Sequence, residues 1–177
     1  RMGADAVDFC TTAINYDYRD PHSIYSKSED EIASHFEALR RHADSLGLEI
    51  GQTHGRIHGF KNIKEEDDAL IRNARYDFLA AKMLGAPFVI IHSTSSIRMG
   101  PDAPAELMHA LNFDLFNRMI PYAKEFGVKI ASETFGDAVL FNSCDFFGNI
   151  KEFTKSYDAI CAVGDNAEYM SCCVDTG

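Results

Sequence analysis

The chain has 177 residues, of which 46% are hydrophobic and 25% are charged, a composition typical of a soluble globular domain with a core of its own. Its 27 acidic residues against 17 basic residues give a formal net charge of −10, which disfavours nucleic acid as a partner because such a surface repels phosphate backbones. The sequence has neither a run of about 18 apolar residues nor a recognisable signal peptide, so we expect no membrane span and a cytoplasmic location.

A short pattern recurs along the chain: an apolar residue, a glycine, and then a strand-like run. It occurs as RMGADAVDF, SLGLEIGQTH, MLGAPFVIIH and EFGVKIASE, about 40 residues apart, and Gly164 precedes a fifth run, EYMSCCVD. A glycine in the left-handed conformation closes a helix, after which a short β-branched or aromatic segment enters a sheet. The pattern therefore predicts a chain that alternates helix end, strand, loop and helix.

Apolar residues at helical spacing fill the intervals between these strands. Ser28 and Glu31 predict a capping box at the start of the first helix. The acidic run 65–68 is interpreted as the negatively charged first turn of the next helix. The segment 115–126 also has helical spacing, but Pro121 predicts that this helix begins late or bends there.

Alternating strands and helices imply a parallel sheet, because a crossover helix must return the chain to the same end of the sheet. Two α/β architectures are compatible with five strands. A doubly wound, flavodoxin-like sheet is one, but no glycine-rich phosphate loop follows any strand. A (β/α)8 TIM barrel, which uses the unit eight times in about 250 residues, is the other. Because the chain begins at a helix end and stops at a strand end, we predict that residues 1–177 form one incomplete barrel domain, covering about strands 2 to 6.

Polar side chains stand at the C-terminal ends of four successive predicted strands. His54 follows LEIGQT, His92 follows PFVII, Glu133 lies within VKIASET, and Asp175 follows MSCCV. In a barrel these strand ends meet at one mouth, where the chemistry of such enzymes takes place. Taken alone, a histidine at a strand end is more often a hydrogen-bonded structural residue than a ligand, and a carboxylate there often caps the next helix, so only the set indicates a site.

Two carboxylates that converge in a partly dry mouth repel one another unless a cation lies between them. We therefore predict that Glu133 and Asp175 are ligands of a divalent metal ion. Their oxygen atoms suit Mn²⁺, Mg²⁺ or Co²⁺, and added imidazoles would also admit Zn²⁺. The five cysteines contain no C-x-x-C spacing and lie mostly in apolar runs, which predicts reduced core cysteines rather than a zinc-thiolate site.

Other polar and aromatic residues near the predicted strand ends have two interpretations each. His58 lies four residues after His54, but the flanking glycines predict a loop, where this spacing does not make a zinc-binding pair. Arg56 and Arg98 could hold a substrate phosphate or carboxylate, although solvated arginines are commoner. The loop aromatics form either the wall of a sugar pocket or part of the core: Tyr16, Tyr18, Phe60 and Phe135.

At these residues the sequence resembles the sugar phosphate isomerase/epimerase superfamily, the xylose isomerase-like barrels that also include endonuclease IV. The matching pieces are GLEIGQTHG around His54, LGAPFVIIHS around His92, PYAKEFGVKIASETF around Glu133, and CCVDTG at Asp175. The resemblance covers nearly the whole chain. It implies a metal-dependent (β/α)8 barrel that acts on a sugar, an inositol-derived ketone or a related polyol.

The resemblance also implies roles for individual residues. In the ketose epimerases and inosose-type enzymes, the residue matching Glu133 binds the metal and moves a proton, and the residue matching Asp175 is a second metal ligand. The residues matching His54 and His92 bind substrate in those enzymes, or metal in the endonuclease branch. Glu133 is thus the implied catalytic base, and the two histidines are the implied substrate-binding residues.

Three hypotheses of function follow. The first is a sugar or sugar phosphate isomerase or epimerase that transfers a proton through an enediolate. The second is an endonuclease IV-like zinc phosphodiesterase with His54 and His92 as metal ligands, which the net charge of −10 disfavours. The third is a non-catalytic sugar-binding barrel. Because an incomplete barrel exposes two sheet edges, we also expect self-association.

Overall fold

The computed structural model describes five stretches of the chain: residues 3–12, 16–57, 59–94, 103–134 and 146–175. Five parallel strands form one sheet: β1 (Ala6–Cys10), β2 (Glu49–His54), β3 (Phe88–Ile91), β4 (Lys129–Thr134) and β5 (Met170–Val174). Their order in space, β1-β2-β3-β4-β5, is the same as their order in sequence. A doubly wound sheet changes direction at a switch point, and this sheet does not, so the flavodoxin-like alternative is excluded.

A helix precedes every strand after the first: α1 (Glu29–Leu46), α2 (Lys64–Leu84), α3 (Ala105–Phe126) and α4 (Ile150–Cys161). Short 3-10 turns lie at Ile24–Ser26, Phe146–Gly148 and Asn166–Glu168. In the described stretches no helix combines the length and the apolar character that crossing a membrane requires. The predicted alternation of strands and helices is confirmed.

Both ends of the first helix follow from local sequence. The hydroxyl of Ser28 accepts a hydrogen bond from the backbone N–H of Glu31, and the carboxylate of Glu31 accepts one from the backbone N–H of Ser28, which confirms the predicted capping box. Gly47 ends the helix in the left-handed conformation with φ 68°. Gly85 and Gly127 close α2 and α3 in the same way.

The third helix corrects a prediction. Helix α3 begins at Ala105 and continues through Pro121 to Phe126, so the expectation of a late start is wrong. An interior proline costs about 3 kcal/mol because it removes one hydrogen bond and crowds the preceding turn. Burial of one face of the helix against the sheet and its neighbours offsets this cost, and the buried residues of that face are Met108, Asn112, Leu115, Phe116, Met119, Ile120 and Ala123.

A β-bulge decides which side chains of β2 join the core. Consecutive residues of β1 pair with Ile50 and then with Gln52, which leaves Gly51 as an extra residue in β2. Side chains alternate between the faces of a strand, and the extra residue reverses this alternation. Ile50 therefore packs in the core between sheet and helices, whereas Gln52 and His54 lie on the other face, where both contact Asp8.

The loop aromatics belong to the core rather than to a pocket wall where the structure describes them. Tyr16 is 7% exposed and Phe60 is 2% exposed, and both are members of the main hydrophobic cluster. Tyr18 is partly buried against the same cluster. Phe135 lies outside the described residues.

Candidate metal and active site

Three of the predicted site residues converge at the C-terminal ends of adjacent strands. His54 is the last residue of β2, His92 follows β3 directly, and Glu133 is the penultimate residue of β4. Strands β2, β3 and β4 are parallel neighbours, so these side chains lie at the same end of the sheet. His92 and Glu133 are buried, at 5% and 8% exposure, while His54 is partly exposed.

The ligand-type atoms of these residues face one another. The Nε2 atoms of His54 and His92 are 2.8 Å apart. Oε2 of Glu133 lies 2.7 Å from Nε2 of His92 and 3.6 Å from Nε2 of His54. In the part of the chain that the structure describes, these three residues form a group of potential metal ligands. Their ligand atoms all lie within 4.8 Å of one another.

The donor set fits a divalent metal ion. Zinc binds imidazole nitrogen at about 2.0–2.1 Å in tetrahedral geometry, which corresponds to a separation of about 3.3 Å between ligand atoms. The three observed separations, 2.7, 2.8 and 3.6 Å, lie on both sides of that value. Two imidazoles and one carboxylate are the ligand types that Zn²⁺ accepts in catalytic sites, with positions left for water or substrate.

Asp8 extends the site to β1. Its Oδ2 atom lies 3.2 Å from Nδ1 of His54, and the side-chain amide of Gln52 donates a hydrogen bond to the same oxygen at 3.3 Å. The hydrogen bond with Asp8 raises the pKa of His54, burial opposes this, and the charge of Glu133 adds to the increase. Sequence reasoning missed Asp8, although Asp8 lies in the predicted strand-like run of RMGADAVDF, where side-chain alternation places it on one face with Ala6.

Cys173 on β5 contacts the other oxygen of Glu133. The two residues are paired across β4 and β5, and Sγ of Cys173 lies 3.8 Å from Oε1 of Glu133 as a hydrogen-bond donor. Burial raises the pKa of Cys173, and the negative charge of Glu133 raises it further, so this cysteine is held as a thiol. Sequence reasoning grouped Cys173 with the core cysteines, since the strand register was not known.

Asp175, the fourth predicted residue, lies apart from the group of three. It is exposed just beyond β5, where its backbone N–H donates a hydrogen bond to the hydroxyl of Thr134 at 3.2 Å. By alternation it lies on the same face as Cys173, and its charge contributes to the raised pKa of that thiol. Its proposed sharing of an ion with Glu133 stays a prediction.

Arg56 has neither of the roles considered from the sequence. Its side chain is 13% exposed, and its guanidinium makes two hydrogen bonds to the fully buried carboxylate of Asp77, at 2.7 and 2.8 Å. Burial alone would lower the pKa of Arg56, but the Asp77 carboxylate raises it. Asp77 also accepts a hydrogen bond of 2.7 Å from the Tyr25 hydroxyl. This arginine therefore anchors the loop after β2 to α2, while Arg98 and His58 lie outside the described residues.

A cavity of about 190 Å³ next to Arg56 is also a poor binding site for an anionic substrate. Two more cations line it, Arg19 and Lys61. The guanidinium of Arg19 is paired with Asp17 at 2.6 Å, and the ammonium group of Lys61 with Glu66 at 2.6 Å. Because a carboxylate neutralises each cation, a phosphate would have to displace an existing ion pair.

Comparison with known proteins identifies the fold. No family model matches the chain, and no curated protein sequence matches it. Among solved structures, a D-tagatose 3-epimerase-like protein is similar at TM-score 0.67 and 15% identity, over 97% of this chain and 56% of that one. The IolI protein with a binding zinc atom is similar at TM-score 0.62 and 15% identity, over 95% and 51%. A xylose isomerase-like TIM barrel/4-hydroxyphenylpyruvate dioxygenase fusion protein is similar at TM-score 0.53 and 16% identity, over 90% and 21%.

These similarities confirm the predicted architecture. The five parallel strands and their helices have the α/β fold of a xylose isomerase-like TIM barrel. The chain spans about half the length of the epimerase-like protein and of IolI, so it corresponds to part of such a barrel. At these identities the similarity establishes the fold alone.

Proposed function

We propose that the chain carries the metal-binding part of a sugar or sugar phosphate isomerase or epimerase, which transfers a proton through an enediolate. The observation that carries this proposal is the convergence of His54 Nε2, His92 Nε2 and the Glu133 carboxylate at the strand ends of a barrel. The fold shared with a D-tagatose 3-epimerase-like protein and with zinc-containing IolI supports it.

His54, His92 and Glu133 would hold the metal ion. The two imidazoles favour Zn²⁺, while a site that recruits further oxygen ligands from the rim, including Asp175, also suits Mn²⁺, Mg²⁺ or Co²⁺. When bound, a divalent ion supplies a Lewis acid that polarises the substrate carbonyl and stabilises the negative charge formed next to it.

Glu133 is the proposed catalytic base. Its two oxygens have different surroundings, since Oε2 faces the histidines and Oε1 faces the thiol of Cys173. Removal of a proton next to a carbonyl needs a carboxylate within hydrogen-bond reach of the carbon, in a place where water competes poorly. Burial of Glu133 to 8% exposure at the strand ends meets the second requirement.

The test measures metal binding and proton transfer on the same protein. The protein would be incubated in deuterated water with a panel of free and phosphorylated ketoses, and deuterium at the carbon next to the carbonyl would be measured together with bound metal. We expect the Glu133→Gln variant to lose deuterium incorporation and to bind less metal. Glu37→Gln, an exposed change on α1, is the matched control and should behave like the wild type. Equal metal content in Glu133→Ala and the wild type would overturn the proposal.

A zinc phosphodiesterase of the endonuclease IV kind is the second candidate. One observation favours it: the Nε2 atoms of His54 and His92 face each other and the Glu133 carboxylate, an arrangement that would suit two histidines sharing one zinc ion. The net charge of −10 disfavours it, because a nucleic-acid surface needs accumulated basic residues. Zinc-dependent cleavage of bis-p-nitrophenyl phosphate, together with DNA binding that weakens steeply with salt, would establish this candidate.

Sugar binding that is indifferent to a chelator would instead favour a non-catalytic barrel.

A further inference from the structure

Asp8 forms a side-chain network that ends at the proposed metal ligands. Its Oδ2 atom lies 3.2 Å from Nδ1 of His54 and accepts a hydrogen bond of 3.3 Å from Gln52. The opposite ring nitrogen of His54, Nε2, faces His92 and Glu133. His54 therefore lies between a carboxylate on one side and the convergent ligand atoms on the other.

The β-bulge in β2 builds this network. The extra residue Gly51 shifts the register so that Gln52 pairs with Asp8 and His54 pairs with Cys10. In a strand without a bulge, Gln52 and His54 would lie on the same face as Ile50, which packs in the core on the helix side of the sheet. Bulges commonly re-aim side chains next to active sites, and this bulge brings His54 and its partner to one face.

A hydrogen-bond acceptor at Nδ1 decides which nitrogen of a neutral imidazole carries the proton. With Asp8 as acceptor, the proton resides on Nδ1, and Nε2 offers its lone pair to a ligand. A carboxylate in this position also fixes the plane of the ring and makes the free nitrogen a stronger donor to a metal. Because Asp8 is 39% exposed in its side chain, its second hydrogen bond, from Gln52, is needed to hold the carboxylate in place.

We propose that Asp8 is a positioning residue. It holds His54 in the Nδ1–H tautomer, with Nε2 directed at the ion shared with His92 and Glu133, and Gln52 orients Asp8 in turn. The part of this inference that concerns the ion rests on the proposed function. The part that concerns the tautomer of His54 depends only on the contact between Asp8 and His54.

The first measurement is the affinity for Zn²⁺, by competition with a chromophoric chelator, in the wild type and in single-residue variants. We expect Asp8→Ala to bind Zn²⁺ about 10- to 100-fold more weakly, the loss usual for an outer-shell partner of a ligating histidine. Asp8→Asn keeps an acceptor oxygen and should lose less. Asp5→Asn removes the same charge from an exposed position just before β1, and its affinity should equal that of the wild type. Circular dichroism would verify that each variant is folded.

The second measurement needs no metal. Nitrogen-15 chemical shifts of the His54 ring, recorded where the imidazole is neutral, report which nitrogen carries the proton. We expect the Nδ1–H tautomer in the wild type and a mixture of tautomers in Asp8→Ala. If the wild type bound no Zn²⁺, the proposed function would fail, and the ring shifts would still decide the role of Asp8. Ring shifts that are the same in the wild type and in Asp8→Ala would overturn the inference.

Discussion

The Nε2 atoms of His54 and His92 lie 2.8 Å apart, a contact that two neutral nitrogen lone pairs cannot make favourably without a proton or a cation between them. The carboxylate of Glu133 lies 2.7 Å from Nε2 of His92 and supplies negative charge beside the two imidazoles. A proton and a divalent ion therefore compete for the same position. Metal affinity should fall as the medium becomes more acidic, because metal ligands must be deprotonated.

The first prediction concerns the sharing of one ion by the two histidines. His54→Ala and His92→Ala should each weaken Zn²⁺ binding by more than about 100-fold, beyond the loss caused by an outer-shell change. The double variant should lose less than the sum of the two free-energy changes, because residues in one network are not additive. Competition with a chromophoric chelator measures the Zn²⁺ affinity of the two single variants and the double variant. His22→Ala, an exposed change in the loop before α1, is the control. Additive losses would contradict a shared ion.

The second prediction concerns Asp175. Because it is exposed at the rim and outside the group of three ligands, Asp175→Asn should weaken Zn²⁺ binding by about tenfold or less, below the loss for His92→Ala. The same chelator titration decides this, with Asp158→Asn on the outer helix α4 as the control. A loss as large as that for His92→Ala would instead support the ligand pair Glu133 and Asp175 predicted from sequence.

The third prediction concerns the buried ion pair between Arg56 and Asp77. Asp77→Ala leaves a buried guanidinium without its carboxylate and should lower the free energy of unfolding by about 3–5 kcal/mol. Urea denaturation measures the change. Glu37→Ala breaks an exposed pair with Arg41 of 3.8 Å and should cost no more than about 0.5 kcal/mol. Similar losses for the two variants would show that the buried pair has no special role in stability.

The fourth prediction concerns the packing of the loop after β2 against the end of β3. A Cβ atom added at Gly59 would lie 2.5 Å from the backbone nitrogen and Cα of Thr94, which follows His92 by two residues. Backbone atoms cannot yield easily, so Gly59→Ala should lower stability by about 1–3 kcal/mol and also weaken metal binding. A Cβ atom at Gly51 would meet nothing within 4 Å, which makes Gly51→Ala the matched control. Equal stability of the two variants would contradict the close approach.

The fifth prediction concerns pH. Side-chain hydrogen bonds from Arg19 hold the pKa of Asp17 well below its usual range. A carboxylate whose pKa is lower in the folded state stabilises the protein fully above its unfolded pKa of about 3.9, and this contribution is lost as pH falls through the folded pKa.

Asp17→Asn should therefore lower the free energy of unfolding by about 1 kcal/mol at neutral pH, since the pair is partly exposed. The difference from the wild type should shrink as pH falls below about 4. Chemical denaturation at several pH values measures it, with the exposed Asp158→Asn as the control. A difference that stays constant down to pH 3 would contradict this assignment.

Much of the fold follows from short stretches of sequence. The capping box of Ser28 and Glu31, the left-handed glycines that end the helices, and the strand runs after them depend on interactions between residues close in the chain. His54, His92 and Glu133 were predicted as site residues for the same reason, because each one is the polar residue at the end of an apolar strand. The late start predicted for the helix through Pro121 was wrong, since packing from distant residues stabilises the helix.

The amino-acid sequence by itself determined the order of strands and helices and the polar residues at the strand ends. Only the tertiary structure decided the order of strands in the sheet, the burial of Arg56 with Asp77, and the contacts of Asp8 and Cys173 with the site. The physical reason is register. Side chains alternate on a strand, so one extra residue at Gly51 decides which face His54 occupies, and that bulge is defined only by pairing with β1.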